Sequence, residues 1–346
     1  MPMKFEIPDR SKPPEPAQHP QKKPLIYAVI GILFILIAGY VIFGDHIEEQ
    51  RTLNQIDSLW EEALQLRQEG NYEGALQVYN SVFSLISSRD FTLEYGLNHH
   101  YRGNTYEEMA SADMANTSSH LQNSIYAYDQ SLKFITEDEY PAEYFRVQYS
   151  LGDAYLKLYA SRADENDLDT AISYYENALG YYSIAVDPIY FASINNKLGN
   201  AWRKKGNNEG NVSYLENSLA AYGESLRVFR EDIYSLEYAG VQNNLGNLYL
   251  EMSAYGNEKN NIENAIDSFN NALGVYTLDS RPIEYATVQN NLGNAWFKLS
   301  ELENKEDNVE KAVAAYNEAL KVFTVSLFPV EHDGVIHNIV RAYKSL

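Results

Sequence analysis

The feature that most constrains the fold of this chain is an internal repeat with a period of 47 residues. The motif Leu-Gly-Asp/Asn occurs at Leu151-Gly152-Asp153, Leu198-Gly199-Asn200, Leu245-Gly246-Asn247 and Leu292-Gly293-Asn294, each copy 47 residues after the last. A weaker copy, Arg102-Gly103-Asn104, precedes them by 49 residues. One motif repeated at a fixed spacing of this size predicts an array of similar units that pack on their neighbours.

The second half of each unit keeps the same period. A small residue is followed four positions later by an aromatic residue, in the pairs Ala171 and Tyr175, Ser218 and Tyr222, Ala265 and Phe269, and Ala312 and Tyr316. Prolines also fall on this grid, at Pro141, Pro188, Pro282 and Pro329, with Ser235 in the remaining place. Because proline interrupts a helix or begins one, we expect these residues to separate the units.

Each unit is predicted to contain two helices. In the first, Val241, Leu245 and Leu248 recur at helical spacing, and Gly246 stands where a neighbouring helix must come close. In the second, apolar residues from Ile262 to Tyr276 form one stripe. No alternation of period two is sustained, so the sequence predicts an all-α fold.

This pattern resembles the tetratricopeptide repeat, with long units similar to those of kinesin light chains. The matching residues include Gly152, Tyr155, Ala171, Tyr175 and Ala178, and then Gly293, Trp296, Ala312, Tyr316 and Ala319. The usual unit has about 34 residues, so each unit here carries about 13 more. The resemblance implies a right-handed superhelix (an α-solenoid) whose first helices line a concave groove that binds a protein or peptide.

The predicted organisation places a Pro-rich cytoplasmic tail at 1–24, a transmembrane anchor at 25–44 and the array at 45–346. The units are expected at about 56–89, 96–144, 145–191, 192–238, 239–285 and 286–332, followed by a C-terminal cap at 333–346. In that cap, we expect Ile339 and Tyr343 to form the apolar face and the remainder to form a polar face. Such a polar outer face is expected of the helix that closes a stack.

The anchor is predicted from residues 25–43, which form an uncharged apolar run. In a helix this run spans roughly 28 Å, the thickness of the hydrocarbon core of a bilayer. Lys22 and Lys23 precede it, whereas Asp45, Glu48 and Glu49 follow it. By the positive-inside rule, these flanks predict a single-pass cell-membrane protein with a cytoplasmic N-terminus and an extracytoplasmic array.

Charge and motif content restrict the possible functions. The formal net charge is −21, which disfavours nucleic-acid binding, and the chain has no cysteine. None of the common nucleotide-binding, hydrolase or metalloprotease motifs occurs. His99 and His100 near Glu107 and Glu108 are the one hint of a metal site, but adjacent helical residues point about 100° apart. We therefore expect no enzyme, no cofactor and no metal.

The candidate site is a repeated row of asparagines on the groove face of the first helices. The expected groove residues are Asn104, Tyr149, Asp153, Asn196, Asn200, Arg203, Asn243, Asn247, Asn290, Asn294 and Phe297. Asparagine pairs four apart, such as Asn243 and Asn247, share a helix face. Their amides either bond to the main chain of an extended peptide, as in the asparagine ladders of similar repeats, or bond between neighbouring helices. Specificity is then expected from other positions, such as Arg203 and Phe297.

The sequence therefore predicts a non-enzymatic, membrane-anchored scaffold for protein–protein interaction, with a role in envelope protein assembly or secretion. One alternative is a structural organiser that self-associates as a homo-oligomer or packs on a fixed membrane complex. Another is a tethered signalling adaptor that faces the cytoplasm.

Overall fold

The computed structural model describes the backbone of residues 23–346 and the side chains of residues 44–346. Residues 1–22, most of the predicted Pro-rich tail, lie outside the described residues. The described backbone is mostly helical and contains no strand, which confirms the all-α class. It divides after Glu61 into two compact units, and the candidate site lies in the second, at Glu62–Leu346.

The helices of the described chain follow one another with short connections. They are α1 (Lys23–Gln68), α2 (Tyr72–Leu85), α3 (Thr92–Ala112), α4 (Thr117–Ser131), α5 (Pro141–Arg162), α6 (Glu165–Leu179), α7 (Pro188–Glu209), α8 (Val212–Leu226), α9 (Ser235–Met252), α10 (Glu258–Leu273), α11 (Pro282–Ser300), α12 (Lys305–Leu320) and α13 (Pro329–Ser345). From α3 to α12 they pack as consecutive pairs, and the second helix of each pair also packs on the first helix of the next. First helices of adjacent pairs touch as well, from α3 through α13.

Helix starts follow the predicted punctuation. Pro141, Pro188, Pro282 and Pro329 are the first residues of α5, α7, α11 and α13, and Ser235 begins α9. At this position proline loses no hydrogen bond, since the first N–H groups of a helix have no partner within it. The prediction that these residues separate the units is therefore confirmed.

The two helices of each pair meet at one glycine and one aromatic ring. A Cβ placed on Gly246 would lie 2.4 Å from the Phe269 ring, so only glycine fits at that point. The equivalent contacts join Gly103 to Tyr128, Gly152 to Tyr175, Gly199 to Tyr222 and Gly293 to Tyr316. All five rings are fully buried. The prediction that Gly246 allows close helix approach is confirmed.

The predicted membrane anchor falls within helix α1. Among the described residues, no helix is both long enough and apolar enough to cross a membrane. The predicted localisation, a single-pass cell-membrane protein with an extracytoplasmic array, is therefore wrong. The part of α1 with described side chains starts at Gly44 and becomes charged at once, with Asp45, Glu48 and Glu49. The side chains of the apolar run at 25–43 lie outside the described residues.

Helix α13 differs from the predicted polar cap. It starts at Pro329, four residues before the expected cap, and it buries only Val335 and Ala342. Ile336 and Val340 are 39% and 44% exposed, so the outer face carries apolar residues where a polar remainder was expected. The reason is that α13 repeats the first helix of a pair, while the described chain has no second helix after it.

Candidate functional site

Two polar positions, one helical turn apart, repeat along the first helices α3, α5, α7, α9 and α11. The earlier positions form the first row, His100, Tyr149, Asn196, Asn243 and Asn290. The later positions form the second row, Asn104, Asp153, Asn200, Asn247 and Asn294. All of these side chains except His100 are partly exposed. The rows therefore mark a continuous polar surface on the second compact unit.

The first-row asparagines bond to amides on the next first helix. The Nδ2 atoms of Asn244, Asn291 and Asn338 donate to the Oδ1 atoms of Asn196, Asn243 and Asn290 at 3.1, 3.1 and 3.2 Å. Each bond joins neighbouring units and stabilises their contact by about 1 kcal/mol. At these three positions the amides bond between neighbouring helices, which is one of the two roles that the sequence left open.

The first row has no amide at Tyr149. The facing residue on the next first helix is also not an asparagine but Lys197. The Lys197 Nζ atom donates instead to Asp153, at 3.2 Å. The Tyr149 ring packs with Tyr175 and Tyr190, with ring centres 6.0 and 5.9 Å away. Burial raises the pKa of Tyr149 well above its usual range, so its hydroxyl stays neutral. This position contributes aromatic packing rather than an amide.

The second row is held by buried tyrosines of the second helices. The hydroxyls of Tyr128, Tyr175, Tyr222 and Tyr316 donate to Asn104, Asp153, Asn200 and Asn294 at 2.7, 2.5, 2.7 and 2.8 Å. Each bond fixes an oxygen of the row in place. The Nδ2 atoms of Asn200 and Asn294 have no partner among the described residues, so these amides keep both donors, while one of the two lone pairs of each oxygen is used.

Asn247 is the exception in the second row. Its counterpart on the second helix, 22 residues on, is Phe269, whose ring is fully buried and carries no hydroxyl. Neither atom of the Asn247 amide has a hydrogen-bond partner within the described part of the chain. The side chain is partly exposed, so water can bond to its donors and acceptor when no ligand is present. Asn247 thus offers both a donor and an acceptor to a ligand.

The two predicted specificity residues are engaged with their neighbours. Arg203 forms an ion pair with Glu251 on α9, and its side chain is only 19% exposed. Phe297 is 7% exposed, and the Arg341 guanidinium lies 4.5 Å from its ring centre. Arg203 therefore links two units, whereas the Phe297 ring packs against the guanidinium of Arg341.

The histidine pair has a packing role. His100 is buried and its Nε2 atom lies 3.0 Å from Ser150 Oγ on the next first helix. His99 lies among Phe83, Tyr95 and Phe134, with ring centres 4.5 to 6.1 Å away. Burial, together with nearby cations, lowers the pKa of His99 to about 4 and that of His100 to about 3. Both rings are neutral at pH 7, and no cluster of metal ligands occurs among the described residues.

Sequence reasoning missed two residues on α13. Asn338 continues the amide bonds by donating to Asn290. Arg341 stands 47 residues after Asn294 and so ends the second row. The signal was available, because the 47-residue grid extends into the last helix, but neither the Leu-Gly-Asn motif nor a following aromatic residue marks it.

The absent hydroxyl at Phe269 gives a stability prediction. We expect Phe269→Tyr to raise the free energy of unfolding by about 1 kcal/mol, because the new hydroxyl reaches the unpaired oxygen of Asn247. Tyr175→Phe is the converse, removing the hydroxyl that Asp153 accepts, and should lower the free energy of unfolding. Urea unfolding followed by circular dichroism measures both. Destabilisation by Phe269→Tyr would show that the second helix has no space for the hydroxyl.

Comparisons with known proteins add likenesses to solved structures. No family model matches the chain, and no curated protein matches it. A thermophilic TPR protein of Thermus thermophilus is 15% identical, with a TM-score of 0.45, over 70% of this chain and 98% of that one. BtubC of P. vanneervenii is 16% identical, with a TM-score of 0.44, over 78% and 90%. The nuclear import adaptor Nro1 of S. pombe is 15% identical, with a TM-score of 0.44, over 85% and 99%.

Proposed function

We propose that this chain is a non-catalytic tetratricopeptide-type scaffold that binds an extended protein segment on the face formed by α7, α9 and α11. The segment lies along the second row, and Asn247 is its main-chain contact. The predicted role in envelope assembly or secretion required the membrane location, which is wrong, so the proposal does not include that role.

The observation that carries this proposal is the unpaired amide of Asn247 between two paired neighbours. A side-chain amide matches a peptide unit, since its N–H donates to a carbonyl and its oxygen accepts from an N–H. Asn200 and Asn294, on either side, have fixed oxygens and free nitrogens, so they add donors for further carbonyl groups. This pattern recognises main chain, which every extended segment presents.

A pocket beside the row supports binding of a segment with side chains of its own. A cavity of about 260 Å³ is lined by Leu250, Asn294, Phe297, Lys298, Glu301 and Arg341. This space is enough for a side chain of the bound segment. Main-chain contacts at Asn247 and a side-chain pocket one unit further together define a linear binding path.

The second candidate function is that of a structural organiser that packs through α13. Its exposed Ile336, Val340 and Tyr343 lie three to four residues apart, on one helix face. Val340 occupies the position of Gly293, so a following second helix cannot pack there as α12 packs on α11. Self-association through this face is measured by light scattering as a function of concentration.

The test of the main proposal is a selection followed by one substitution. Random peptides of about twelve residues, displayed on phage, are selected on the full chain, and the tightest is synthesised with acetyl and amide ends as the selected peptide. We expect Asn247→Ala to raise its Kd about tenfold, because two hydrogen bonds of about 0.7 kcal/mol each are lost. Fluorescence anisotropy measures the Kd.

The control separates binding from folding. Asn247→Ala leaves the unfolding midpoint unchanged, because the side chain has no partner to lose. Asn200→Ala removes the acceptor of the Tyr222 hydroxyl and should lower the midpoint while Asn247 stays intact. Equal peptide affinity for wild type and Asn247→Ala, or a selection that yields no peptide, would contradict the proposal.

A further inference from the structure

The C-terminal end of the second row carries an unusual local charge. The chain as a whole is strongly acidic, with a net charge of −21. Several cations of the first helices bond to carboxylates, as in the pairs Lys157 with Glu107, Lys197 with Asp153 and Arg203 with Glu251. The cations near the C-terminal ends of α11 and α13 differ from these.

Three cations at that end have no carboxylate partner within the described residues. Lys298 donates to Ser253 Oγ at 2.6 Å and to the Leu250 carbonyl at 3.3 Å, and both of these acceptors are neutral. Arg341 and Lys344 are exposed and form no ion pair. Unpaired positive charge therefore gathers on one part of an acidic molecule, where it attracts anionic groups.

These cations surround a continuous pocket. A cavity of about 450 Å³ is lined by Phe297, Glu301, His337, Val340, Arg341, Lys344 and Ser345. It shares Phe297, Glu301 and Arg341 with the 260 Å³ cavity beside Asn294. Glu301 is the single carboxylate in the lining of either cavity, so three cations outnumber it. The pocket is therefore lined by apolar residues, Phe297 and Val340, together with an excess of cations.

Arg341 is held in a defined orientation. Its guanidinium lies 4.5 Å from the centre of the Phe297 ring, a cation–π contact that limits its rotamers. A guanidinium packed by its face keeps its N–H groups at the edge, where a carboxylate can accept two of them. Because Arg341 stands at the second-row position after Asn294, a segment lying along the row reaches this guanidinium next.

We infer that the bound segment carries acidic side chains beside an apolar residue, and that Arg341 and Lys344 bind the carboxylates while the apolar residue enters the pocket over Phe297 and Val340. This inference rests on the proposed function, since it assigns the chemistry of one end of the same segment. It predicts a partner with an Asp or Glu next to a Leu, Ile, Val or Phe.

The test compares two charge-matched variants with wild type. Arg341→Gln/Lys344→Gln removes two cations from the pocket. Lys311→Gln/Lys321→Gln, the α12 variant, removes one cation from α12 and one from the turn after it, each of which forms an ion pair with a carboxylate of α12. Both variants change the net charge from −21 to −23. The displayed random-peptide library is selected on each full chain. We expect acidic residues beside an apolar residue to be enriched by wild type and by the α12 variant only.

Titration then gives the size of the effect. A selected acidic peptide, synthesised with acetyl and amide ends so that side chains supply its only carboxylates, is compared with its Gln/Asn isostere. We expect about tenfold tighter binding of the acidic peptide to wild type, and no preference in Arg341→Gln/Lys344→Gln. Arg341→Lys keeps the charge and should retain part of the preference, which guards against a variant that is merely misfolded.

The outcomes are distinguishable. If peptides bind through Asn247 but show no acidic preference, or if both double variants lose it equally, this inference is overturned while the proposed function stands. If no peptide is selected at all, both are overturned. Loss of the acidic preference only in the α13 variant supports the inference.

Discussion

Gly246→Ala is expected to lower the free energy of unfolding by about 2 kcal/mol, because the added methyl group has no space. Its Cβ would lie 2.4 and 2.6 Å from two carbons of the Phe269 ring, well inside van der Waals contact. The ring is fully buried in a cluster with Ile262, Ile266 and Leu292, so it cannot move aside without disturbing them. Urea unfolding followed by circular dichroism measures the change.

Gly223 supplies the matched control. It lies inside α8, it is exposed, and a Cβ built there meets nothing within 4 Å. Gly223→Ala should therefore raise the free energy of unfolding by about 0.5–1 kcal/mol, the gain in helix propensity alone. If both substitutions stabilise the protein, the glycine–ring contact does not set the distance between paired helices.

Acid is expected to destabilise the array through its buried histidines. Burial, with Arg146 and Arg67 nearby, lowers the pKa of His100 from 6.5 to about 3. A depressed pKa in the folded state means that stability is complete above the unfolded pKa of 6.5 and is lost as the pH falls from there towards 3. At pH 4.5 the loss from His100 alone is on the order of 3 kcal/mol.

The substitution His100→Gln isolates this contribution. Glutamine stays neutral and can still bond to Ser150, so the variant should lose less stability than wild type between pH 7 and pH 4.5, by an amount on the order of 3 kcal/mol. Free energies of unfolding in urea at the two pH values measure the difference. His337→Gln, at an exposed position of α13, controls for removal of a histidine. Equal acid sensitivity of wild type and His100→Gln would mean that the ring is protonated without cost.

The arrangement of helices could be read from the sequence because it depends on local signals. Proline at Pro141, Pro188, Pro282 and Pro329 fixes helix starts by its own covalent geometry. The glycine of each Leu-Gly-Asp/Asn motif marks a close approach, and the aromatic residue on the same period proved to be the ring that it meets. The 47-residue period and the residue types were therefore sufficient to predict the helix starts and the points of close helix approach.

The sequence did not show which side chains of the site form hydrogen bonds with each other, because this depends on the geometry between units. The sequence placed Asn243 and Asn290 on one face, but it did not show that Asn291 and Asn338 reach across to them. That bond depends on how closely adjacent first helices pack. The difference between Asn200 and Asn247 was present in the sequence as a Tyr or Phe on the next helix, yet it acquires meaning only once the hydroxyl is seen at 2.7 Å from the amide.

The bounds of two predicted segments differ from those of the helices. The anchor was expected at 25–44 and the cap at 333–346, whereas the helices extend beyond both. Helix α1 continues from Lys23 to Gln68 into a charged stretch, and α13 begins at Pro329 rather than at 333. Segment composition alone did not predict where either helix begins or ends.

The measurement that most directly tests the central claim is the affinity of Phe269→Tyr for the selected peptide. The new hydroxyl should take one lone pair of the Asn247 oxygen and fix the amide as Tyr222 and Tyr316 fix those of Asn200 and Asn294. We expect the free energy of unfolding to rise by about 1 kcal/mol while the Kd rises about fivefold, because the hydroxyl competes with the peptide for this oxygen. A more stable variant that binds the peptide as tightly as wild type would contradict the claim that Asn247 holds the bound segment.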